Sequence, residues 1–247
     1  MASDAEFEFA IQIEEKVAQL DLNRPEEGNR LTGGMIAALA RTIRRLGERS
    51  DVNIIAIRSG GVAFCRGRDG RGETSNTLSA YQIRNQMMGP VLSVYAALAE
   101  APIPVVACVH AEAIGFGAAL VGGCDIAVAS ANAEFAFPEI MHNIAPTMAM
   151  SAVIRKLPPA ILSFLIYSGE RLKASEAWQW GLVGKVYPAE EFSTACAAFL
   201  KRLSARPRPI LETIKKYQNG AIGLSPALSS DYAGALLALV RHETPAS

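Results

Sequence analysis

The stretch that decides the fold is VHAEAIGFGAALVGGCD, residues 109–125. It begins where an apolar, β-branched run ends, and it passes through Gly115-Phe116-Gly117 into small apolar residues typical of a helix. A Gly-x-Gly segment at the start of a helix presents backbone N–H groups that the helix itself does not pair. Such groups attract negative charge. The charge is either that of a phosphate or that of an oxygen that becomes negative during a reaction.

Strands and helices alternate on both sides of this stretch. A helix is predicted after Thr32, a candidate N-cap, and another over residues 77–100, broken or kinked around Pro90. Strands are predicted on either side of a charged turn at residues 14–16 and at residues 53–59, 104–110, 125–130 and 134–137. This alternation predicts an α/β fold.

The last part of the chain has a different pattern. From about Pro146 onward, apolar residues recur at helical spacing with few strand signals. The final helices are predicted at residues 192–203, 207–219 and 227–241. The sequence therefore predicts an α/β core followed by a helical C-terminal segment.

Composition excludes several classes of function. Lys and Arg together number 24, as do Asp and Glu, so the formal net charge is zero and neither nucleic acid nor an anionic membrane is expected as a partner. The four cysteines are scattered without C-x-x-C spacing, so no metal site or disulfide framework is expected. The acidic start MASDAEFEF does not have the pattern of a signal peptide, and we expect a cytoplasmic location.

One alternative is a dinucleotide-binding oxidoreductase, because GFGAAL begins like the G-x-G-x-x-G fingerprint. Leu120, however, occupies the position of the third glycine, where close packing of helix on strand is needed. No βαβ half follows the motif either. The pattern therefore disfavours this class.

Four segments in series resemble the crotonase (enoyl-CoA hydratase/isomerase) superfamily. They are LDLNRPEEGNRL (20–31), AFCRGRD (63–69), the run 104–139 that contains the opening stretch, and SGERLKASEAWQWGLVGKVYP (168–188). The resemblance implies an α/β fold with a spiral of ββα units, an acyl-CoA-binding catalytic core over residues 1–190, and a helical trimerisation segment over residues 191–247. It also implies an acyl-CoA thioester substrate, no cofactor beyond the coenzyme A of that substrate, and a homotrimer or dimer of trimers.

The resemblance implies an answer to the opening question. In this family, two backbone N–H groups from different loops bind the thioester carbonyl oxygen, which becomes an enolate during the reaction. Carried over to this chain, one N–H comes from Arg66 in FCRGRD and the other from Phe116 in GFG. Such an oxyanion hole is completed by the positive end of the helix dipole.

The resemblance also implies the acid–base group. Hydratases of the family hold a water between two glutamates, and here the first of these positions is Ala119 whereas the second is Glu139. A single glutamate is the pattern of the family's isomerases, which move a double bond from 3-enoyl-CoA to 2-enoyl-CoA. Two alternatives stay open: a hydratase that uses Glu139 with a non-standard second group, and a catalytically silent CoA-binding protein.

Three further side chains are candidates for the site. Glu112, just before Gly-x-Gly, is a candidate second acid, with a salt bridge as the alternative. His142 follows Glu139 by three residues and is a candidate to tune it or to line the pocket, with an exposed or structural histidine as the alternative. Cys65 is interpreted as a packing residue, because no base is identifiable beside it.

The two loops at residues 23–31 and 66–71 are rich in arginine. Because the family binds coenzyme A along these loops, some of their arginines are candidates to contact its phosphates: Arg24, Arg30, Arg66, Arg68 and Arg71. Residues predicted to line the substrate site with them are Gly67, Asp69 and Gly115. The alternative is a solvated loop whose charges are balanced by Asp69, Glu73 and Glu26.

Overall fold

The computed structural model describes residues 9–71 and 77–243, so Glu73 lies outside the described residues. In chain order, the strands are β1 (Ala10–Glu14), β2 (Val17–Asp21), β3 (Ile54–Arg58), β4 (Ala63–Cys65), β5 (Val105–Val109), β6 (Glu112–Ile114), β7 (Ile126–Ser130), β8 (Glu134–Ala136), β9 (Leu172–Lys173) and β10 (Lys185–Tyr187). They form one sheet in the order β1-β2-β3-β5-β7-β10 and a second in the order β4-β6-β8-β9. Neighbouring strands are parallel except for the pairs β1–β2 and β8–β9.

The helices surround these sheets. They are α1 (Gly33–Glu48), α2 (Ala80–Gln82), α3 (Gly89–Glu100), α4 (Phe116–Gly123), α5 (Thr147–Val153), α6 (Pro159–Ser168), α7 (Ala174–Gln179), α8 (Phe192–Ser204), α9 (Arg208–Gly220) and α10 (Pro226–Glu243). None of those in the described ranges is long and apolar enough to cross a membrane. Parallel strands alternating with helices confirm the predicted α/β fold class.

The hairpin β1–β2 and the start of α1 match the sequence prediction. Glu14 pairs with Val17, and the two residues between them, Glu15 and Lys16, have φ angles of 47° and 64°. A two-residue turn between antiparallel strands needs this left-handed pair. Thr32 caps α1, since its side-chain oxygen accepts a hydrogen bond from the Met35 amide at 3.3 Å.

Residues 80–100 are helical without a gap, but the helix is interrupted. A π-helical turn at Ile83–Met88 separates α2 from α3, and Pro90 lies in the first turn of α3. Proline is tolerated there because its missing N–H would have no partner within the helix. The irregularity therefore lies before Pro90, in the π-helical turn.

The second sheet brings two distant loops together. A Cβ atom at Gly117, in the first turn of α4, would overlap with the carbonyl oxygen of Cys65 at the end of β4. Only glycine permits this approach of backbone to backbone. As a result, the segment 65–69 lies directly against the start of α4.

The C-terminal helices α8, α9 and α10 confirm the three predicted there, but the prediction of helices alone after Pro146 was incomplete, because β9 and β10 also lie in this part. Helix α8 packs on the larger sheet, where Phe192 and Cys196 form an apolar cluster with Ile54 and Val106. Alternate residues of these strands face the main core on the other side of the sheet. The boundary at residue 190 stays a prediction, and α8 packs against the core.

Candidate active site

Glu139 lies in a single 3-10 turn, Pro138–His142, that follows β8. Its Oε2 atom is buried and has no hydrogen-bond partner among the described residues. Burial raises the pKa of the Glu139 carboxyl above its usual value, while its own backbone amide and the charge of His142 act in the opposite direction with smaller effect. This carboxylate therefore holds a proton more tightly than an exposed glutamate does.

The start of α4 lies beside this carboxylate. A Cβ atom at Gly115 would lie 3.2 Å from Oε1 of Glu139, so a side chain at this position would press against the carboxylate. Gly115 has φ 55° and ψ −117°, and Phe116 is the first residue of the helix. The amide of a first-turn residue has no acceptor within its own helix. The structure therefore brings Gly115, the Phe116 amide and Glu139 together, as the sequence predicted for these three.

The prediction of the Arg66 amide as the second donor is wrong. This amide donates a hydrogen bond to the carbonyl oxygen of Gly28 at 3.0 Å, and the bond joins the two arginine-rich loops. An N–H group committed in this way cannot also bind a substrate oxygen without losing that bond. The partner of Arg66 is 38 residues away in the sequence (66 minus 28), and no local pattern indicates it.

The next peptide along the same loop has a different orientation. The Gly67 carbonyl oxygen accepts a hydrogen bond from the Leu31 amide at 3.1 Å. Since the two ends of a trans peptide point in opposite directions, the Arg68 N–H points away from Leu31. Gly67 itself packs against the start of α4, because a Cβ there would lie 3.1 Å from the Ile114 oxygen and 3.8 Å from the Phe116 nitrogen.

Glu112 is held in a network of ion pairs. Its Oε2 accepts a hydrogen bond from Arg66 Nε at 2.7 Å, and its Oε1 accepts one from Arg171 Nη1 at 2.5 Å. Arg171 also pairs with Glu134 at 2.7 Å. These bonds, that from Arg171 first, lower the pKa of the Glu112 carboxyl despite its partial burial. The structure thus favours the salt-bridge alternative for Glu112, because both of its oxygens are engaged and neither is available as a second acid or to a substrate.

Comparison with known proteins gives the family. Residues 12–229 match the model of the enoyl-CoA hydratase/isomerase family. The mitochondrial enoyl-CoA hydratase of Pongo abelii is 28% identical over 234 residues, which cover 93% of this chain and 79% of that protein. The mitochondrial enoyl-CoA hydratase domain-containing protein 3 of Rattus norvegicus is 27% identical over 195 residues; the match covers 79% of this chain and spans 64% of the length of that relative. A crystal structure of the enoyl-CoA hydratase of Mycobacterium smegmatis has a TM-score of 0.89 at 27% identity, covering 96% of this chain and 91% of the other.

The chain belongs to the enoyl-CoA hydratase/isomerase family. Its fold is that of the crotonases, as the four sequence segments predicted. Ala119, which the sequence resemblance places at an acid–base position of the family's hydratases, is fully buried three residues after Phe116.

The arginine-rich loops hold several ion pairs of their own. Asp69 accepts hydrogen bonds from Arg71 at 2.8 and 2.7 Å and lies 3.6 Å from Arg24, and Arg71 also pairs with Glu27 at 2.7 Å. The hydrogen bond from the Arg71 side chain is the main cause that lowers the pKa of Asp69. Asp69 therefore cross-links the two loops rather than facing a substrate, and for Arg24 and Arg66 the structure favours the balanced-loop alternative.

Two other candidates have structural explanations. His142 is exposed and has no hydrogen bond to Glu139 among the described contacts; it acts on that carboxyl through its charge. Cys65 is fully buried, and burial raises the pKa of its thiol to about 12. A thiol so hard to ionise is a packing residue, as interpreted from the sequence.

Tyr95, on α3, is a further residue at the site that no sequence pattern indicates. Its ring stacks on that of Phe116 with the ring centroids 6.4 Å apart and the planes inclined by 21°. Burial raises the pKa of the Tyr95 hydroxyl, and the charge of Glu139 raises it further. No sequence pattern indicates that a tyrosine within a predicted apolar helix will reach the site that contains Gly115 and Glu139, which follow it by 20 and 44 residues. Only the structure reveals this.

A cavity of about 590 Å³ lies elsewhere, between α8 and the larger sheet. Val17, Arg58, His110 and Cys196 are among its lining residues, and neither Glu139 nor Phe116 is. It is therefore separate from the site described above, although it is large enough to hold a small molecule.

Proposed function

We propose that this protein moves a double bond in an acyl-CoA thioester, converting 3-enoyl-CoA to 2-enoyl-CoA. The observation that carries the proposal is a single desolvated carboxylate, Glu139, beside the first turn of α4, with Ala119 at the other acid–base position. Hydration needs a proton moved at both ends of the double bond, which favours two groups. A 1,3-proton shift needs only one base that releases the same proton again.

The reaction follows from the position of Glu139. In its ionised form, Glu139 takes a proton from C2 of the 3-enoyl thioester, and the electrons pass to the thioester oxygen and form a dienolate. Protonated Glu139 then delivers the proton to C4, and the double bond forms between C2 and C3. A raised pKa of the Glu139 carboxyl suits both proton transfers, since this group must accept a proton from C2 and then give it to C4.

The dienolate oxygen needs donors placed in advance. The Phe116 amide supplies one, supported by the positive end of α4. We propose the Arg68 amide as the other, because it points away from Leu31 while Gly67 packs against Phe116. Both donors are main-chain groups, so the unusual side chains at these positions do not remove them.

Hydration of 2-enoyl-CoA is the second candidate, since the matched relatives from Pongo abelii and Mycobacterium smegmatis are named enoyl-CoA hydratases. It requires a second polar group in place of Ala119, and Glu112 is engaged with two arginines.

A panel of acyl-CoA thioesters distinguishes the candidates. Purified protein is given 3-enoyl-CoA and 2-enoyl-CoA of several chain lengths, and the products are identified by mass spectrometry and NMR. We expect faster isomerisation of a 3-enoyl-CoA than hydration of any 2-enoyl-CoA. Faster hydration of crotonyl-CoA would favour the hydratase, and binding without turnover would favour the silent CoA-binding protein.

A further inference from the structure

Tyr95 joins two helices at the site. It is half-buried on α3, and its ring lies nearly parallel to that of Phe116, the first residue of α4. Phe116 is buried, with 6% of its surface exposed. Stacked aromatic rings at this separation attract one another beyond the effect of burial alone. The ring of Phe116 is therefore held at a fixed place between α3 and α4.

The same tyrosine extends along α4. Phe116, Ala119 and Gly123 are spaced three and four residues apart, so they lie on one face of the helix. A Cβ atom at Gly123 would lie 4.0 Å from Cδ1 of Tyr95, and Phe116 at the other end stacks on its ring. Tyr95 thus lies beside this face of α4, in contact with Phe116 and near Gly123.

The Phe116 amide depends on this packing. The residue before it, Gly115, has no side chain to fix the turn and adopts a backbone conformation that only glycine adopts readily. The backbone holds one end of this peptide, because the Gly115 oxygen accepts a hydrogen bond from the Ala119 amide at 3.0 Å. The side chain of Phe116 is the side-chain anchor at the other end, so a displaced ring would tilt the first turn of α4 and the N–H with it.

We propose that Tyr95 is a positioning residue for the oxyanion donor: its ring, stacked on Phe116, holds the Phe116 amide in line with the thioester oxygen. The proposal rests on the proposed function to the extent that an enolate oxygen is bound at this amide. It concerns the ring and assigns no proton transfer to the hydroxyl. Burial keeps that hydroxyl neutral, and the charge of Glu139 raises its pKa further.

Two substitutions separate the ring from the hydroxyl. Tyr95→Phe keeps the stack, and Tyr95→Leu removes it. A matched control is Tyr232→Leu, which breaks a second aromatic pair, Tyr217–Tyr232, whose centroids are 5.9 Å apart on α9 and α10. Each variant is assayed for kcat and KM, for thermal stability, and for exchange of the C2 hydrogens of butyryl-CoA with deuterium from the solvent, followed by NMR.

Small misplacements of catalytic groups reduce rates strongly, by up to about 100-fold. We expect Tyr95→Leu to lower kcat and the exchange rate together by roughly 10- to 100-fold while KM changes less than about threefold, because the donor acts on the enolate more than on the bound thioester. Tyr95→Phe should stay within about threefold of the wild type, and Tyr232→Leu should lower the melting temperature without this loss of kcat.

Three results would overturn the proposal. The first is a full kcat in Tyr95→Leu, and the second is a loss of kcat in Tyr95→Phe as large as that in Tyr95→Leu. The third is the same loss of kcat in Tyr232→Leu when the two leucine variants have equal melting temperatures. The exchange assay keeps the two proposals apart, since butyryl-CoA has no double bond to move and exchange at C2 reports enolate formation alone. A wild type that exchanges C2 hydrogens but does not isomerise contradicts the proposed function, and the role of Tyr95 is then decided on exchange. A wild type without any exchange contradicts the role of Tyr95 as well.

Discussion

At the scale of single residues, the main feature is a carboxylate that the fold desolvates. Folding opposes ionisation of Glu139, because the pKa of its carboxyl is raised in the folded state. Ionised Glu139 therefore lowers the free energy of unfolding, in full at pH values above that raised pKa. This loss of stability disappears when the carboxyl is protonated. Retaining such a group at the expense of stability is typical of a catalytic position.

The first prediction concerns Glu139→Gln, which keeps the shape and removes the base. We expect turnover of 3-enoyl-CoA to fall by about 10²- to 10⁴-fold. The melting temperature at pH 7 should rise, since the cost of the buried charge is removed, and this gain should shrink at low pH. Glu112→Gln is the control: it breaks an ion pair, so it should lower stability and leave most of the activity. Near-normal turnover in Glu139→Gln would refute the assignment.

The second prediction concerns pH. Glu139 must be ionised to take a proton, so the acidic limb of the kcat/KM profile should lie above 4.5, the ordinary value for a glutamate. The positive charge of His142 lowers the pKa of Glu139, and His142→Gln should therefore move this limb to higher pH. His242→Gln, on the exposed end of α10, should leave it in place. A limb that shifts to lower pH in His142→Gln would contradict this electrostatic picture.

These residues also show how far sequence reasoning reached. Phe116 and Glu139 were predicted from the family resemblance of the segment 104–139, and the structure places the turn before Phe116 beside the Glu139 carboxylate. The error at Arg66 arose because the use of an amide depends on its partner, Gly28, which only the folded chain brings near. Tyr95 was missed for the same reason. Its importance lies in a contact between two helices.

At the scale of elements, the decisive contact is that between the end of β4 and the first turn of α4. The third prediction is that Gly117→Ala destabilises the protein by about 3 kcal/mol or more and removes activity, because its Cβ would overlap with the Cys65 carbonyl oxygen. Gly70→Ala is the control, since a Cβ there meets nothing within 4 Å. Chemical denaturation of both variants measures the difference. Equal stability would show that the two elements can separate without cost.

The elements themselves were predictable to different degrees. The hairpin β1–β2 and helix α1 carry complete local signals: a charged turn, a cap at Thr32 and a periodic apolar face. Strands β9 and β10 have two and three residues, too few for a pattern to show. They form because β8 and β7 offer an edge to pair with, and that edge exists only in the fold.

At the scale of the whole molecule, α9 is tied to the core by a buried charge. Lys215 Nζ donates hydrogen bonds to the Leu98 oxygen at 2.8 Å, the Ile103 oxygen at 3.1 Å and Asp125 Oδ2 at 2.8 Å. The fourth prediction is that Lys215→Met costs about 3–5 kcal/mol, since it leaves the Asp125 carboxylate without its cation. The exposed neighbour Lys216 gives the control, Lys216→Met, which should cost little. A small loss in Lys215→Met, measured by urea denaturation, would show that the helical segment is stable without this anchor.

The last prediction concerns assembly. Of the apolar residues on α10, Leu236 and Val240 are buried within the chain, with 7% and 4% of their surface exposed, whereas Leu228, Leu237 and Leu239 are 58%, 54% and 60% exposed. Exposed leucines grouped on one C-terminal helix are typical of a surface that another subunit covers. Such a surface fits the homotrimer or dimer of trimers that the family resemblance implies, and we expect that assembly in solution, formed through this helix.

Light scattering and sedimentation at micromolar concentration test the assembly. We expect the variant Leu237→Glu with Leu239→Glu to dissociate, because two charges would have to be buried in the interface. Val62→Glu is the control: Val62 is 67% exposed in a loop outside the C-terminal helices, so its substitution should leave the assembly intact. A wild type that stays monomeric would contradict the prediction, and so would a doubly substituted variant that stays fully assembled. In the second case the contact surface would have to lie on the core, and the exposed leucines of α10 would need another explanation.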